Sequence, residues 1–577
     1  MSQDFKKILV KDDRLNVSDT VSYAVHKGGQ NMTSAQFQAI SKSNTSHTFN
    51  IQVPSEQTLI DRRVLWQSTV VLAFTTAAVP VGQPPMNYGV SDALAPFPLH
   101  NLASVMTATI NNNSVSINIR DVLPAILRFN DSRELQRYNG YTPTMWDSLL
   151  NYADGVGSNG NPLGAFQNSG DMDLLARGTW VLDAVGTALT GSGAVIAGVL
   201  PLTGGAVPFY VQFTVTEPLL LSPFIYADPK CNNQAMYGIQ NMNFVFNIGD
   251  ATRVWRTANP YITATTISSF QSSQLIFNFL TPHPSDLMPS RNCVPYYEMP
   301  RYITSIAPPS SWTALVAGSA PASTVMKTSS LQLNQIPDKL IVFVRPALSS
   351  VTNQSSDAFF PISNVVVQFN NMSGILSSAT RQDLYRYSVE NGSNQNFFEF
   401  TGLCNMPDAA GAGRRVPTVG SMMVLEFGKD IQLSEDFYAS GSLGNFNLQL
   451  NLTVENVSAV AAPAVEIVLI TINSGIFCCE RGTSSTYTGI LTKQDVLDAS
   501  AQEPYYKQDV RRMVGGGWLD SLKSVVGKVL PHIARYAKDK LHAHDSPYAK
   551  AAGSVLGALG YGASGGKKLS ERLMSSK

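Results

Sequence analysis

One alternating strand pattern occurs twice in this chain, about 200 residues apart. Residues 241 to 248 read NMNFVFNI and residues 445 to 452 read NFNLQLNL, so both have Asn at the first, third and seventh positions and an apolar residue at every second position. Because successive side chains of a strand point to opposite faces, this pattern predicts a strand with one face in a core. A chain that carries the pattern twice is expected to build two similar sheets.

A second matched pair of segments occurs in the same order. FPLHN at residues 97–101 precedes an apolar run that ends in INNN at 110–113, and FPISN at 360–364 precedes VVVQFNN. Each half therefore contains a start, a strand, an Asn-rich turn, a long interval and the N-x-N strand. Two ordered matches predict an internal duplication, and insertions of unequal length explain the different offsets of 263 and 204 residues.

The composition indicates what kind of unit is duplicated. Apolar residues make up 44% of the chain and charged residues only 14%, against about a quarter charged in soluble domains generally. The periodic segments are short and separated by turn signals such as NNNS, DGVGSNGN and GTALTGSG. Short strands between frequent turns are typical of all-β sandwiches and barrels, and 577 residues suffice for two cores.

The alternation of apolar and polar residues predicts where the strands lie, and three- to four-residue spacing predicts the helices. Helical patterns are predicted at only two places, 121–129 and 382–387. Ten segments are predicted as strands: 64–74, 105–110, 115–119, 209–215, 243–248, 275–280, 340–344, 365–369, 446–454 and 465–472.

Cysteine usage and the N-terminus exclude several classes of protein. The five cysteines are scattered and include no C-x-x-C, so neither a disulfide framework nor a zinc site is predicted. Cys478 and Cys479 end an apolar run and are interpreted as small buried or edge residues. The N-terminal MSQDFKKILVKDD has no apolar signal segment, and no run of 18 uninterrupted apolar residues occurs. Neither secretion nor a membrane span is therefore predicted.

The sequence contains no recognisable catalytic or cofactor-binding motif. The H-E-x-x-H and P-loop patterns are missing, and the G-x-S-x-G and G-x-G-x-x-G spacings in the glycine-rich segments lack the strand and helix context that those motifs require. Of seven histidines, His26 and His47 lie in a polar N-terminal arm and three lie near the C-terminus, which leaves His100 and His283 for the β units. His100 follows FPL at the start of a strand and is interpreted as structural. The sequence indicates a structural protein without catalytic, cofactor-binding or metal-binding residues.

The last part of the chain has a different chemistry. Residues 511–577 carry twelve Lys and Arg against four Asp and Glu, so the remainder carries a net charge of −8. Apolar residues recur there at three- and four-residue spacing with basic residues between them, which predicts a basic amphipathic helix interrupted near Pro531. The residues expected to make contacts are Trp518, Leu522, Lys523, Val526, Lys528, Val529, Ile533 and Arg535.

Three interpretations of this tail remain open. It could be a helix docked on its own domain, a peptide that binds a membrane surface, or an internal arm that contacts nucleic acid or a neighbouring subunit. The polar, charged linker at 495–512 favours the third, because the tail does not continue a core.

Several segments resemble those of double jelly-roll major capsid proteins, most closely those of Polinton-like viruses and adintoviruses. They span about residues 50–500 and comprise FPLHN…INNN, LSPFIYAD…YGIQNMNFVFNIG (221–249), IPDKLIVFVRP (336–346), FFPISNVVVQFNNMSGILSSATRQDLY (359–385) and INSGIF…TSSTYTGILTK (472–493). The resemblance implies two tandem eight-stranded jelly rolls per chain, three chains per pseudo-hexagonal capsomer, and capsomers that tile an icosahedral shell.

A glycine-rich segment in front of the tail also resembles a known pattern. Met513, Gly515, Gly516 and Gly517 in MVGGG match the Met/Ile/Leu-x-Gly-x-Gly sequence that adenovirus-type maturation cysteine proteases cut. Cleavage after Gly516 would need an exposed, extended linker. The alternative is an ordinary glycine hinge before a helix.

The sequence thus predicts an all-β chain of two tandem jelly-roll sandwiches with a C-terminal basic amphipathic helical tail. The expected divisions are an N-terminal arm at 1–49, jelly rolls at 50–275 and 276–495, and the linker and tail at 496–577. The expected function is that of a major capsid protein in a virion shell, assembled inside the host cell. Its expected partners are two further copies in a homotrimer, neighbouring capsomers, penton and minor capsid proteins, and nucleic acid or an internal membrane through the tail.

Two other classes of function remain as alternatives. One is a β-sandwich that binds a receptor or a glycan, as in a spike or a lectin-like protein. The other is a jelly-roll hydrolase, in which carboxylates would converge in one cleft.

Overall fold

A computed structural model describes most of the chain up to residue 489. The described residues are 7–8, 24–25, 32–129, 141–155, 162–164, 176–224, 235–280, 291–307, 309–316, 319–407, 413–433, 438–458, 464–480 and 482–489.

Eight main strands form the first sandwich. They are β1 (Met32–Gln38), β2 (Ser46–Gln52), β3 (Leu65–Thr76), β4 (Ala103–Ile110), β5 (Asn113–Ile117), β6 (Phe209–Pro218), β7 (Asn241–Ile248) and β8 (Ile262–Leu280). One sheet has the hydrogen-bonded order β1-β8-β3-β6 and the other has the order β2-β7-β4-β5. All pairs are antiparallel, and the chain crosses repeatedly between the two sheets, which is the arrangement of a jelly roll.

The second sandwich repeats this order. Its strands are β9 (Arg291–Glu298), β10 (Arg301–Ile306), β11 (Ala322–Lys327), β12 (Leu331–Gln335), β13 (Lys339–Pro346), β14 (Ile362–Phe369), β15 (Met372–Ile375), β16 (Met423–Glu426), β17 (Leu443–Asn456), β18 (Val465–Glu480) and β19 (Thr483–Thr488). In one sheet β18 pairs with β9, β10, β13 and β19, and β13 pairs with β16. In the other, β17 pairs with β11, β12 and β14, and β14 pairs with β15.

In the described ranges helices are few and short, and they include the two predicted at 121–129 and 382–387. They are α1 (Pro98–Leu102), α2 (Ile119–Arg128), α3 (Arg381–Glu390) and α4 (Phe397–Thr401), with 3-10 turns at Tyr152–Gly155, Arg177–Thr179, Ala251–Arg253 and Leu348–Ser350. Additional short strands are Lys7–Ile8, Ala24–Val25, Ser41–Lys42, Leu59–Ile60, Asp92–Leu94, Ala184–Gly186, Ala188–Leu189, Val195–Ile196, Trp255–Thr257, Leu403–Pro407 and Gly413–Pro417. The start of α3 is fixed by a capping box between Thr380 and Asp383.

Alternating side chains fill the two cores. In β17 the five apolar residues of the N-x-N pattern, from Phe446 to Val454, are all buried in the second core, as predicted. In β7 the matching residues Met242, Phe244 and Phe246 are buried in the first core. Each repeated strand therefore supplies one wall of a sandwich.

The repeated strands occupy matching positions, but the two octapeptides do not align residue for residue. β7 pairs with β4 so that Met242 lies opposite Ile110, and β17 pairs with β14 so that Leu448 lies opposite Phe369. Since Ile110 and Phe369 each precede the left-handed Asn of the turn, Met242 matches Leu448. The sequence alignment, which matches Met242 with Phe446, is therefore wrong by two residues. A shift of two preserves the alternation, so the sequence pattern could not detect it.

A β-bulge is also repeated. Strand pairing skips Ser104 in β4 and Ser363 in β14, at the same distance from the turn in both sandwiches. The Ser104 hydroxyl donates to the Asn247 carbonyl oxygen at 3.1 Å, and the Ser363 hydroxyl donates to the Thr453 carbonyl oxygen at 3.3 Å. A shared bulge with the same serine contact supports the internal duplication independently of the sequence match.

The Asn-rich turns give a first testable prediction. Asn111 and Asn370 adopt left-handed backbone conformations, with φ of 52° and 51°, and the Asn370 side chain accepts a hydrogen bond from the Asn447 backbone N–H at 2.9 Å. Replacing Asn370 with alanine is expected to lower the free energy of unfolding by about 2 kcal/mol, because alanine tolerates this conformation poorly and removes the acceptor. Asn370→Gly, which keeps the conformation, should lose less in a urea titration. Equal midpoints for Asn370→Ala and wild type would contradict the prediction.

The strand pairing bears on the limits of the domains. β1 and most of β2 lie at 32–49, within the predicted arm, yet they pair with β8 and β7 of the first sandwich. The predicted division between residues 275 and 276 falls inside β8. We therefore propose limits of 32–280 and 291–489 for the two sandwiches.

Candidate functional site

The junction between the two sandwiches is built on β13, which is buried on both faces. Leu340, Val342 and Val344 belong to the second core, whereas Ile341 and Phe343 belong to the first. Because side chains alternate along a strand, the outer face of this sheet is an apolar surface against the first sandwich. Neighbouring strands add further members to this surface: Val424, Val468, Ile470 and Ile472.

The helix α2 of the first sandwich carries the first ionic contact of this junction. Nine of its ten residues are buried. The Asp121 carboxylate, only 1% exposed, lies 2.6 Å from an Arg345 guanidinium nitrogen and 2.7 Å from the Arg301 Nε. Arg345 also lies 3.0 Å from the Glu466 carboxylate. A buried carboxylate of one sandwich is thus neutralised by two arginines of the other.

A second ionic cluster surrounds Asp357 of the second sandwich. Its carboxylate accepts a hydrogen bond from Arg256 at 2.7 Å and lies 3.4 Å from Arg253. Burial by itself would raise the pKa of Asp357, but the Arg256 and Arg253 guanidiniums outweigh it and hold this pKa far below its usual range. The backbone N–H of Asp357 donates to the Asp147 carboxylate at 2.7 Å. This carboxylate therefore stays charged within the junction.

Hydrogen bonds between uncharged groups anchor the loop at 353–357, which carries Asp357. The Asn353 side chain donates to the backbone oxygens of Thr252 at 3.1 Å and Trp255 at 3.0 Å, and the Ser356 hydroxyl donates to the Leu150 oxygen at 2.8 Å. These contacts join residues about 100 to 200 positions apart in the chain. The loop at 353–357 is therefore anchored in the first sandwich, a role that sequence reasoning missed because none of its residues forms a pattern.

His100 is a structural residue, as predicted. Its Nδ1 lies 2.5 Å from the Glu217 carboxylate, and both side chains are fully buried. The Leu220 backbone N–H donates to His100 Nε2 at 3.2 Å, so Nε2 is the acceptor and Nδ1 carries the proton. Glu217 also accepts from the backbone of Leu99 and from the Thr142 hydroxyl. The pair closes a hydrogen-bond network inside the core.

His47 does not lie in a polar arm, which corrects the prediction made from the sequence. It is fully buried in β2, its Nδ1 lies 3.0 Å from the Ser273 hydroxyl, and its ring packs edge-on against Phe270. Burial, with a smaller contribution from Lys42, lowers the pKa of His47 to about 4. The alternation in SHTFNIQ, which places His47 on the same face as Phe49 and Ile51, was the signal that could have located it.

The His47 environment predicts a pH dependence. Its pKa of about 4 in the folded state lies below the ordinary value of 6.5, so protons bind the unfolded chain more tightly. Stability from this group is complete above pH 6.5 and is lost as the pH falls toward 4, by on the order of 3 kcal/mol. The free energy of unfolding of His47→Leu, measured from pH 7 to pH 4, should fall less steeply than that of wild type. Parallel curves would refute this assignment.

The cysteines in the described ranges are thiols, and two of them are buried. Cys293, Cys404, Cys478 and Cys479, the four in the described ranges, form no disulfide. Cys478 and Cys479 are buried in β18, as predicted, and burial raises the pKa of the Cys479 thiol to about 12. Among the residues that the structure covers, no group of His, Cys, Asp and Glu is arranged to hold a metal ion. None of the helices in those ranges is long and apolar enough to cross a membrane.

The predicted site residues of the C-terminal region lie outside the described residues. This applies to the possible cleavage positions Met513, Gly515, Gly516 and Gly517. It applies equally to the tail positions Trp518, Leu522, Lys523, Val526, Lys528, Val529, Ile533 and Arg535.

Family comparisons match both halves of the chain. Residues 3–280 match the family model for the first domain of the Sputnik virophage major capsid protein, and residues 299–475 match that for the C-terminal domain of major capsid protein V20. The chain is 29% identical to a putative capsid protein V20 of Sputnik virophage over 600 aligned residues, covering 97% of this chain and 95% of that protein.

Solved structures of the Sputnik virophage and of the mavirus major capsid protein are similar to this chain over most of its length. The chain is similar to one in the 3.5 Å cryo-EM structure of the Sputnik virophage, with 26% identity, a TM-score of 0.74, and coverage of 89% of this chain and 100% of that chain. The crystal structure of the mavirus major capsid protein shares the fold, with 15% identity, a TM-score of 0.67, and coverage of 88% and 99%.

The two tandem sandwiches and their junction define a double jelly-roll capsid protein. More particularly, the chain is a major capsid protein of the virion shell, and its two halves match family models of virophage major capsid proteins. The resemblance found in the sequence is thus confirmed, with relatives from virophages. The family supports a structural role and favours neither the glycan-binding sandwich nor the hydrolase.

Proposed function

We propose that three copies of this chain form a pseudo-hexagonal capsomer and that such capsomers tile an icosahedral shell. The observation that carries this proposal is the presence of two jelly rolls with the same strand order in one chain. A ring of three such chains contains six similar units, which suits a hexagonal lattice, and closed rings are the usual symmetry of homo-oligomers.

The junction supports this role mechanically. A tile must keep its two units in a fixed orientation while neighbouring tiles press on both. The apolar face around Phe343 and the buried contacts of Asp121 and Asp357 resist rotation of one sandwich against the other. Neighbouring capsomers, penton proteins and minor capsid proteins would then contact the outer rims of the tile.

Native mass spectrometry of the purified full-length chain tests the trimer. The expected species has three times the 62.4 kDa mass of one chain. A population that stays monomeric at every concentration at which the protein is soluble would contradict the proposal.

The same proposal assigns no catalytic activity to the chain. It is supported by the placement of the groups that most resemble catalytic pairs. His47 with Ser273 and His100 with Glu217 lie in the interior of the first sandwich, where a substrate has no access.

For the C-terminal region we propose a role in assembly. The excess of twelve basic over four acidic residues at 511–577 suits contact with nucleic acid, an acidic membrane surface or the net negative remainder of a neighbouring chain. Cleavage after Gly516 would release this segment late in assembly. The intact mass of the capsid protein from mature particles tests the cleavage: a mass that ends at Gly516 is expected, and copies that all extend to Lys577 would refute it.

A further inference from the structure

We infer that the trimer is closed by the outer face of the β1-β8-β3-β6 sheet of one chain packing against α3 of the next chain. The inference rests on the trimer proposed above. It would repeat between chains the contact that is present within each chain, where the outer face of the sheet around β13 packs against the first sandwich and Arg345 pairs with Asp121 of α2.

The helices α2 and α3 are matching elements with different surroundings. Each follows the strand after an Asn-rich turn, and each carries an aspartate at its third position, Asp121 or Asp383. Nine of the ten residues of α2 are buried, and its Asp121 pairs with two arginines of the second sandwich. α3 buries only Leu384 and Ser388. On α3, Val389 is 42% exposed and the Arg386 side chain is 59% exposed. α3 therefore lacks the cover that its counterpart has.

The sheet around β13 and its counterpart, the β1-β8-β3-β6 sheet, differ in what packs on their outer faces. The outer face around β13 packs against the first sandwich of the same chain. On the outer face of β1-β8-β3-β6, side chains such as Gln67, Thr69 and Thr214 are half-exposed. Within the described ranges, one sheet face of the first sandwich thus has no helix packed on it, and one helix of the second sandwich has no sheet of the first sandwich packed on it. In a closed ring of three chains, each free face can meet the free helix of the next chain.

The chemistry of the free face fits an interface. The four strands contain 48 residues, and only one, Glu217, is charged, although 14% of the whole chain is charged. Glu217 is buried against His100 on the inner side. The four strands therefore place no charged side chain on the outer face, and a carboxylate at its edge, that of Asp183, accepts from the Thr214 hydroxyl at 2.6 Å. Depletion of charge is characteristic of the centre of protein interfaces.

Hydrogen bonds between side chains organise this face into two rows. In one row, Gln38 bonds to Gln274, Gln274 bonds to Gln67, and Gln67 donates to the Thr216 hydroxyl at 3.1 Å. In the other, the hydroxyls of Ser272 and Thr214 lie 3.0 Å and 2.8 Å from that of Thr69. Apart from carboxylates such as that of Asp183 at its edge, this surface is uncharged and its polar groups already bond to one another, so most of it can be covered without desolvating a charge. It can also remain exposed in the free chain before assembly.

The exposed charges of α3 are also partly neutralised within the helix, which lowers the cost of burying them. Arg386 lies 3.3 Å from Asp383 and 3.9 Å from Glu390, so its charge is compensated within α3. The amide and hydroxyl groups of the opposing face can bond to these side chains. This interface differs from the permanent junction within the chain, which uses apolar residues and buried ion pairs, because the two partners must first be soluble separately.

A charge placed on the free face tests the inference. Thr69→Arg in the full-length chain is expected to weaken trimer formation by about tenfold or more, because an unpaired charge would be buried. The matched control is Val325→Arg in β11, where Val325 is 68% exposed on the second sandwich. The control should trimerise like wild type in native mass spectrometry.

Crosslinking between two single variants covers the case in which Thr69→Arg does not fold. Chains carrying Thr69→Cys are mixed with chains carrying Arg386→Cys and treated with a short bismaleimide. A covalent dimer that requires both variants is expected, with Val325→Cys in place of Thr69→Cys as the control. If wild type forms trimers but neither Thr69 variant shows its effect, the inference is wrong and the capsomer proposal stands. If wild type forms no trimers, the capsomer proposal itself fails.

Discussion

Replacing Asp121 with asparagine is expected to lower the free energy of unfolding by about 3–5 kcal/mol, the usual cost of removing one partner of a buried ion pair. Asp121 is 1% exposed and lies within 2.7 Å of both Arg301 and Arg345. Asparagine has nearly the same shape but carries no charge, so the buried Arg345 would keep only Glu466 as a counter-charge and the partly exposed Arg301 would lose its carboxylate partner. Urea unfolding of the purified chain, followed by tryptophan fluorescence, measures the change.

Asp383→Asn is the matched control for this prediction. Asp383 has the same third position in the equivalent helix α3, but its carboxylate caps the helix at the surface and forms no contact with the other sandwich among those described. Its replacement should cost much less than that of Asp121. Equal losses for the two variants would mean that the junction contact contributes nothing beyond helix capping.

The second large effect is expected from Phe343→Ala. Phe343 is fully buried on the face of β13 that meets the first sandwich, and its ring lies 4.7 Å from that of Phe359, measured between centroids. Truncation should leave a cavity in the junction and cost about 3–5 kcal/mol, the range for a buried phenylalanine. Calorimetric unfolding should show a lower transition temperature.

An exposed apolar residue of the same sandwich provides the comparison. Val325→Ala, at a position 68% exposed, should change the free energy of unfolding by no more than about 0.5 kcal/mol. If Phe343→Ala were as mild as Val325→Ala, the two sandwiches would not depend on this face for their stability.

Local patterns in the sequence predict most of the fold. Each of the ten predicted strands lies in or overlaps an observed strand, because alternation is a property of neighbouring residues. The segment predicted at 115–119 ends earlier, at Ile117, since Ile119 begins α2. Nine of the nineteen numbered strands were not predicted: β1, β2, β9, β10, β11, β12, β15, β16 and β19. In β1 and β2, polar residues interrupt the apolar positions. In β2 the buried face includes His47, which composition alone assigns to a polar arm.

The junction could not be predicted in the same way. Asp121 and Arg345 are 224 residues apart, and no local pattern links them. The one available signal is the position of Arg345 directly after the apolar run LIVFV, where a charge needs a buried partner. The partner itself follows only from the packing of one sandwich on the other, which the sequence does not encode locally.

Electron microscopy of the purified and concentrated full-length chain tests the central claim most directly. The account predicts particles with a hexagonal outline, threefold symmetry and six similar lobes, two from each chain, and shells or sheets in which these particles tile edge to edge. Isolated two-lobed particles that never associate, at concentrations where related capsid proteins would assemble, would contradict it.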